Sequence, residues 1–310
     1  MPLVTVIIPS YNSEECIAET LASVRKQTFA DMEVILVDDG SSDGTITVAR
    51  QFGDFMDLRI LSQTNAGPAA ARNSGIRASH ARFCAFLDAD DLMHPERLAS
   101  QVGLLESDAA LAMVHTDLMT FDENGIVHAT KRAFSNPCGG DILDRLLIDN
   151  FVTTSTVMAR RDRVVEVGLF DERRRVSEDF DLWLRMAERW PAGFIDRPLT
   201  QYRRRAGSLS DDKFKTGLAA LDVIERFWQT HDDYRRQNPR LWRHSLAQHL
   251  CVTGAAASAQ HRHYDAFGYL LRALLHERGN IDAWKWLAKT AASPVRRQRR
   301  SPVDGKVRTT

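Results

Sequence analysis

No apolar run in the sequence approaches the roughly 18 residues that a membrane-crossing helix needs. The first strand-like segment begins almost at Met1 and leaves no room for a signal peptide, so a cytoplasmic protein is expected. The four cysteines, Cys16, Cys84, Cys138 and Cys251, are scattered, without the close pairs of a zinc site or redox motif, and they read as buried thiols. Neither charge sign is in excess, since 41 Lys and Arg face 41 Asp and Glu over 310 residues. The balance hides an asymmetry: residues 285–310 hold eight basic side chains and one Asp, leaving 33 basic against 40 acidic before them. A polyanion-binding chain is not built that way, so nucleic acid is not an expected partner. The run Arg296, Arg297, Arg299 and Arg300 reads as a solvated tail over 294–310, with peripheral contact to an anionic inner membrane face as the alternative.

Two phosphate-binding devices are also missing. The first βα turn reads Pro9-Ser10-Tyr11-Asn12-Ser13 where a dinucleotide fold has Gly-x-Gly-x-x-Gly, and no Gly-x-x-x-x-Gly-Lys-Ser/Thr occurs. A nicotinamide dehydrogenase and a P-loop NTPase are therefore not expected.

What is present is an alternation of short apolar runs with helix-period segments, the pattern of βαβ units around a parallel sheet covered on both faces. Strands are expected at residues 4–8, 33–37, 59–61 and 83–87, with Asn12 or Ser13 capping the first helix, Pro68 at N1 of a later one and Pro95 starting another. Beyond 113 the pattern is mixed. A strand runs to Asp117, a hairpin-like turn covers residues 122–125, a helix lies near 142–148 and a strand near 154–159. Ser177 opens a helix, and two short extended pieces follow around Phe194 and Tyr202. After 212 the chain is largely helical. Each polar cluster of the first half closes a strand, where open α/β sheets form their ligand crevice.

Asp88 and Asp90 end one such strand. Alternating side chains point the same way along extended chain, so the pair can share a cation or a polar ligand. Asp38 and Asp39 close the second strand, Asn65 and Arg72 flank the turn after the third, and Tyr11 follows the first. An aromatic face, an acceptor for a base N–H, a cation for phosphate and a metal site at one sheet edge suit a nucleotide diphosphate. Residues 153–156, Thr-Thr-Ser-Thr, fall on the expected acceptor side, with simple strand alternation as the plainer reading. Trp183 at helical spacing reads as core.

Six segments occur in order: Val4-Thr-Val-Ile-Ile-Pro-Ser-Tyr-Asn12, Val37-Asp-Asp-Gly-Ser-Ser-Asp-Gly-Thr45, Asn65-Ala-Gly-Pro-Ala-Ala-Ala-Arg-Asn73, Phe86-Leu-Asp-Ala-Asp-Asp91, Gly168-Leu-Phe-Asp-Glu172 and Ser177-Glu-Asp-Phe-Asp-Leu-Trp183. Over about residues 3–210 the chain resembles the family 2 glycosyltransferases of GT-A fold. The resemblance implies that Pro9 and Tyr11 line a base pocket, that Asp39 accepts from the base, and that Arg72 sits near the donor phosphates or sugar. It implies ribose, sugar and metal roles for Asp88 and Asp90, with Mn²⁺ or Mg²⁺ at Asp90, and makes Asp179 the catalytic base. Glu178 and Asp179 are equally explained as acidic residues favoured in a helix's first turn. The chain departs from the family pattern at Arg205, where many relatives have a His. Arg cannot ligate a cation, but it can pair with phosphate.

The expected architecture is an α/β GT-A domain over 1–212, with a nucleotide-binding half (1–112) and an acceptor-side half (113–212), followed by a helical region over 213–293. The expected activity is inverting, metal-dependent transfer from a UDP- or dTDP-sugar to a glycan or lipid-linked acceptor in polysaccharide assembly. A nucleotidyltransferase and a catalytically silent nucleotide-sugar scaffold stand as alternatives, and the C-terminal helices as a surface for self-association.

Overall fold

The computed structural model describes residues 1–131, 135–205 and 211–292. The first half alternates strand and helix: β1 (Val4–Ser10), α1 (Ile17–Arg25), β2 (Met32–Asp38), α2 (Thr45–Arg50), β3 (Leu58–Ser62), α3 (Pro68–Ala78) and β4 (Phe83–Phe86). Next come β5 (Leu92–Met93), α4 (Arg97–Ser107), β6 (Met113–Asp122), β7 (Gly125–His128), α5 (Leu143–Leu146), β8 (Val157–Arg160), α6 (Arg161–Glu166), α7 (Glu178–Ala187) and β9 (Ala192–Arg203). The chain closes with α8 (Lys213–Thr230), α9 (Asp232–Gln237), α10 (Pro239–Ala259), α11 (His263–His276) and α12 (Ile281–Ala292).

One nine-stranded sheet runs β3-β2-β1-β4-β8-β6-β9-β5, with β7 hairpinned onto β6. The pairings of β1 with β2 and β4, and of β2 with β3, are parallel; β8 is antiparallel to both β4 and β6, and β9 is parallel to β6. Six strands therefore run one way, and the carboxyl ends of β1, β2 and β4 share an edge. The apolar strand sequences follow from cover on both faces. Val4, Val6 and Ile8 pack with Ile17, Leu21 and Val24 of α1, while Ile7 turns to the opposite cluster with Ile76 of α3.

Several local expectations change. The strand near 154–159 is a 3₁₀ turn, Thr154–Thr156, followed by β8. The two extended pieces around Phe194 and Tyr202 are one twelve-residue strand, β9, whose register against β6 shifts around Asp117. Pro95 precedes α4, which begins at Arg97, and Pro68 is the first residue of α3, as its fixed φ favours.

The C-terminal helices pack onto the sheet domain. A continuous apolar cluster runs from Phe86 and Phe170 through Trp183 to Trp228 and Leu250. Trp183 is fully buried against Phe86 and Phe170, a core residue. α10 and α11 approach closely at Gly254, where an added Cβ would lie 2.7 Å from Leu270 Cγ.

α3 carries Arg72, and Gly75 sets how closely it sits on β1: a Cβ there would lie 2.6 Å from Ile7 Cγ2, a stiff β-branched side chain without exposure. Gly75→Ala gains roughly 1 kcal/mol of helix propensity. Overpacking costs about 1–3 kcal/mol. We expect a net loss, seen as a lower urea midpoint with unchanged slope; a raised midpoint contradicts the packing described.

Candidate active site

The first two βα loops are zipped together at the carboxyl edge. β1 and β2 pair as far as Ser10 and Asp38, and the Asp39 amide donates to Ser10 O at 2.8 Å. Asn12, at φ +47°, donates its amide to Ser41 Oγ and accepts at Oδ1 from the Ser42 amide, both at 2.9 Å. The Ser13 amide donates to Thr45 Oγ1 at 2.8 Å. Neither Asn12 nor Ser13 caps α1: the Asn12 side chain serves this loop-to-loop contact, and the Ser13 hydroxyl donates to Tyr11 O. The helix starts at Ile17 after a turn closed on Ser13 O. Tyr11 stands half exposed at the rim, and Pro9 is half-buried.

Asp39 is buried and organises the β3–α3 turn. Its Oδ1 accepts from Gln63 Nε2 and the Ala66 amide at 2.8 Å each, and its Oδ2 accepts from the Gly67 amide at 2.7 Å. Gly67 takes φ +96°, a conformation that favours glycine. Asn65 is exposed and accepts from Arg175 Nη1 at 3.2 Å, which ties this turn to the segment preceding α7.

Arg72, expected near the donor phosphates or sugar, lies buried on α3, and its partners are protein carboxylates. One guanidinium nitrogen donates to Asp88 Oδ1 and the other to Glu178 Oε1, each at 2.6 Å, with Phe170 beneath the guanidinium. The side chain is 5% exposed. Burial alone would lower its pKa, but Asp88 and Glu178 reverse that and raise it, fixing the positive charge. Glu178 is held up by burial, opposed by Arg72. Sequence reading gave Glu178 only a helix-start role.

Asp88 and Asp90 follow β4. The Asp88 amide donates to Ser155 Oγ at 3.0 Å. Asp90 pairs with Arg205, Nε to Oδ2 at 3.0 Å, and burial followed by the neighbouring Asp88 raises its pKa. Arg203 fastens the turn from the end of β9: its Nε donates to Asp90 O at 2.8 Å, its amide to Asp91 Oδ1 at 2.9 Å, and its Nη2 to Glu19 at 2.5 Å. Asp91 is fully buried and pushed well up by burial and by Asp90, while Arg97 behind it is held down to about 9 by burial. The role of Arg203 was not legible, because three consecutive arginines, 203–205, give no sign of which one turns inward.

Asp179 sits on the first turn of α7, after Ser177 at φ +60°. Its Oδ1 accepts from the Phe180 amide and its Oδ2 from Thr154 Oγ1, both at 2.7 Å. The Thr154–Thr156 turn thus serves the site twice, since Ser155 holds Asp88; strand alternation does not explain it. Arg72, reaching both Asp88 and the residue before Asp179, joins the two ends of the site.

Asp88 and Asp90 are the residues fit to hold a divalent cation. Among the described residues no cluster of three or more His, Cys, Asp or Glu forms a cage. Two carboxylates suit an ion that keeps waters and shares a substrate's phosphates, as Mg²⁺ does. An open cleft of about 630 Å³, lined by Cys16, Asp122, Arg203 and Arg205, adjoins this corner. A second cavity, about 710 Å³, lies beside α7 and carries paired charges such as Arg77–Glu172 and Arg185–Asp181; Asp88, Asp90 and Asp179 do not line it.

Residues 5–168 match the profile of glycosyl transferase family 2. The chain belongs to that family. It is 31% identical over 238 residues to Bacillus subtilis TuaG, whose name places it provisionally in teichuronic acid biosynthesis as a glycosyltransferase; the match covers 74% of this chain and 90% of TuaG. It is 29% identical over 241 residues to Escherichia coli WfgD, a UDP-Glc:alpha-D-GlcNAc-diphosphoundecaprenol beta-1,3-glucosyltransferase, covering 73% and 86%. Against an uncharacterized glycosyltransferase of Rickettsia felis the identity is 30%, covering 69% of this chain. The chain spans about a third of the length of that and two further Rickettsia relatives. The fold is that of S. aureus TarS in complex with UDP-GlcNAc (TM-score 0.60, 18% identity, 94% and 91% covered). It is also that of the Pyrobaculum calidifontis mannosyltransferase PcManGT in complex with GDP-Man and Mn²⁺ (TM-score 0.62, 19% identity, 94% and 84% covered). These are GT-A glycosyltransferase structures, and the family's α/β sheet with a helical C-terminal region is the architecture found here.

Removing Arg72 strands two carboxylates. Arg72→Met should lower stability by about 3–5 kcal/mol, the usual cost of breaking a buried ion pair from one side. Adding Glu178→Gln should recover part of it, because residues in one network are not additive. Urea unfolding of the single and double variants checks this; strict additivity would refute the bridge.

Proposed function

We propose that this family 2 protein transfers a sugar, with inversion, from a nucleotide diphosphate donor to an acceptor hydroxyl in polysaccharide or glycan assembly. The observation that carries the reading is the Arg72 bridge, which brings the Asp88-Ala89-Asp90 turn to the helix start that presents Asp179. In this reading residues 1–112 bind the donor and 113–212 face the acceptor. Tyr11, with Pro9, offers a face for the base. Asp39 stands beside it as acceptor for a base N–H, which favours the imide of a UDP- or dTDP-sugar. Asn65 borders the same pocket.

Asp90, with Asp88, would hold Mn²⁺ or Mg²⁺, which neutralises the charge gathering on the departing diphosphate. Arg205 leaves Asp90 to pair with phosphate. Across the sugar, Asp179 takes the proton from the attacking hydroxyl, and Thr154 aims its carboxylate. A base on the face opposite the leaving group gives one in-line displacement, and so the inverted anomer. The acceptor is a glycan or lipid-linked sugar, and the protein works in the cytoplasm, in reach of the membrane's inner face. No described helix is long and apolar enough to cross a membrane. The basic segment invoked for surface contact, 294–310, lies outside the described residues.

A screen of UDP-, dTDP-, GDP- and CDP-sugars with Mn²⁺ or Mg²⁺ and glycan acceptors should find a nucleoside diphosphate as product, with inverted anomeric configuration by NMR. Release of pyrophosphate would instead mean nucleotidyl transfer. Asp179→Asn should lower kcat about 10²–10⁴-fold, as loss of a general base does, and leave UDP affinity within a factor of about two. Wild-type turnover in that variant removes Asp179 from the mechanism.

A further inference from the structure

Lys131 follows the β6–β7 hairpin and is 8% exposed, an unusual place for an ammonium. Its amide donates to Asp117 Oδ1 and its Nζ to Thr153 Oγ1, both at 2.8 Å. Thr153 O accepts from the Thr156 amide at 2.9 Å and from Thr156 Oγ1 at 2.7 Å, which closes the turn on which Thr154 holds Asp179. The charged groups acting on the ammonium are Asp149, Asp179 and Asp117. His115, also nearby, is neutral above about pH 4 because burial holds its pKa down. We propose that Lys131 is a positioning residue for Asp179: its ammonium fixes the 153–156 turn from which Thr154 holds that carboxylate. The inference rests on the reading of Asp179 as the base.

A buried ammonium weakens a core unless its carboxylates need it, so packing gives no reason for lysine here. Burial holds Lys131 down to about 8, which leaves it charged near neutral pH, against the pull of Asp149, Asp179 and Asp117. Without the ammonium, Thr153 loses the bond that anchors the turn, and Thr154 should aim Asp179 less well.

The test is kcat and KM, measured separately, for Lys131→Met and Lys131→Arg, with the donor and acceptor found in the screen above. In Lys131→Met kcat should fall about tenfold or more, the scale of a small misplacement of a reacting group, while KM for the donor stays within a factor of about two. Lys131→Arg should restore most of the loss. An unchanged kcat, or a loss carried by KM alone, overturns the proposal. Should Lys131→Met fail to fold, Thr153→Val, which cuts the bond aiming Nζ, should lower kcat the same way by less; no loss is again fatal.

A substrate-free arm separates this idea from the reading beneath it. Below about pH 8 native and unfolded chains both carry the Lys131 proton, and between about 8 and the unfolded value near 10.4 only the unfolded chain does. Wild type should therefore gain stability over that window relative to Lys131→Arg, measured by urea unfolding. Absence of the gain refutes the buried ammonium even where no substrate is found. A gain with full turnover in Asp179→Asn refutes the base and leaves Lys131 merely buried.

Discussion

A buried guanidinium is costly unless its donors find partners, and Arg72 finds two carboxylates on different elements. The planar fork donates in divergent directions, so a single side chain fixes both the direction of Asp88 at the end of β4 and the start of α7. Lysine, a point charge, cannot span the two. Everything near the proposed reaction hangs from this link. Asp88 in turn is held by Ser155, Ser155 belongs to the turn that carries Thr154, and Thr154 holds Asp179. Residues 1–112 and 113–212 are joined here by a closed circuit of short polar contacts.

The circuit also sets the charge of the site. Asp88, Asp90, Asp91, Glu178 and Asp179 face Arg72, Arg97, Arg203, Arg205 and Lys131 across a few layers of side chains. Carboxylates so crowded cannot all remain ionised without cations among them, and the upward shifts of Asp90 and Asp91 record the residual strain. A diphosphate bound as proposed would therefore meet a site that is already nearly neutral. Its charge would have to be balanced by a cation that comes with it or by an arginine that changes partner.

The strand edges were legible because a parallel strand covered on both faces is a continuous apolar run, and the polar residue that ends the run is the one at the crevice. Tyr11, Asp39, Asp88 and Asp90 were found that way. Roles that depend on pairing across the fold were not. Nothing in the residues around Arg72 says that its partners are Asp88 and Glu178, sixteen and 106 residues away, in place of a phosphate. The Thr-rich segment looked like a strand because β-branched residues favour one, and the 3₁₀ turn wins because Ser155 and Thr154 find polar partners there that a ladder would forbid. Lys131 carries no motif at all; only its burial beside Asp117 and Thr153 marks it.

Arg205 is where the same physics would reach donor binding in the proposed reaction. Its Nε sits 3.0 Å from Asp90 while the side chain stays 40% exposed, so it can leave without uncovering a buried charge of its own. A divalent cation on the Asp90 carboxylate would repel this guanidinium, since both are positive. In the proposed reaction the two would compete, and an arginine displaced from Asp90 would be freed at the corner where a diphosphate would lie. Donor and cation affinity would then be coupled through one side chain, and such coupling is reciprocal. A histidine at this position would add a ligand to the cation; the arginine would instead withhold Asp90 until phosphate oxygens offered it a better partner.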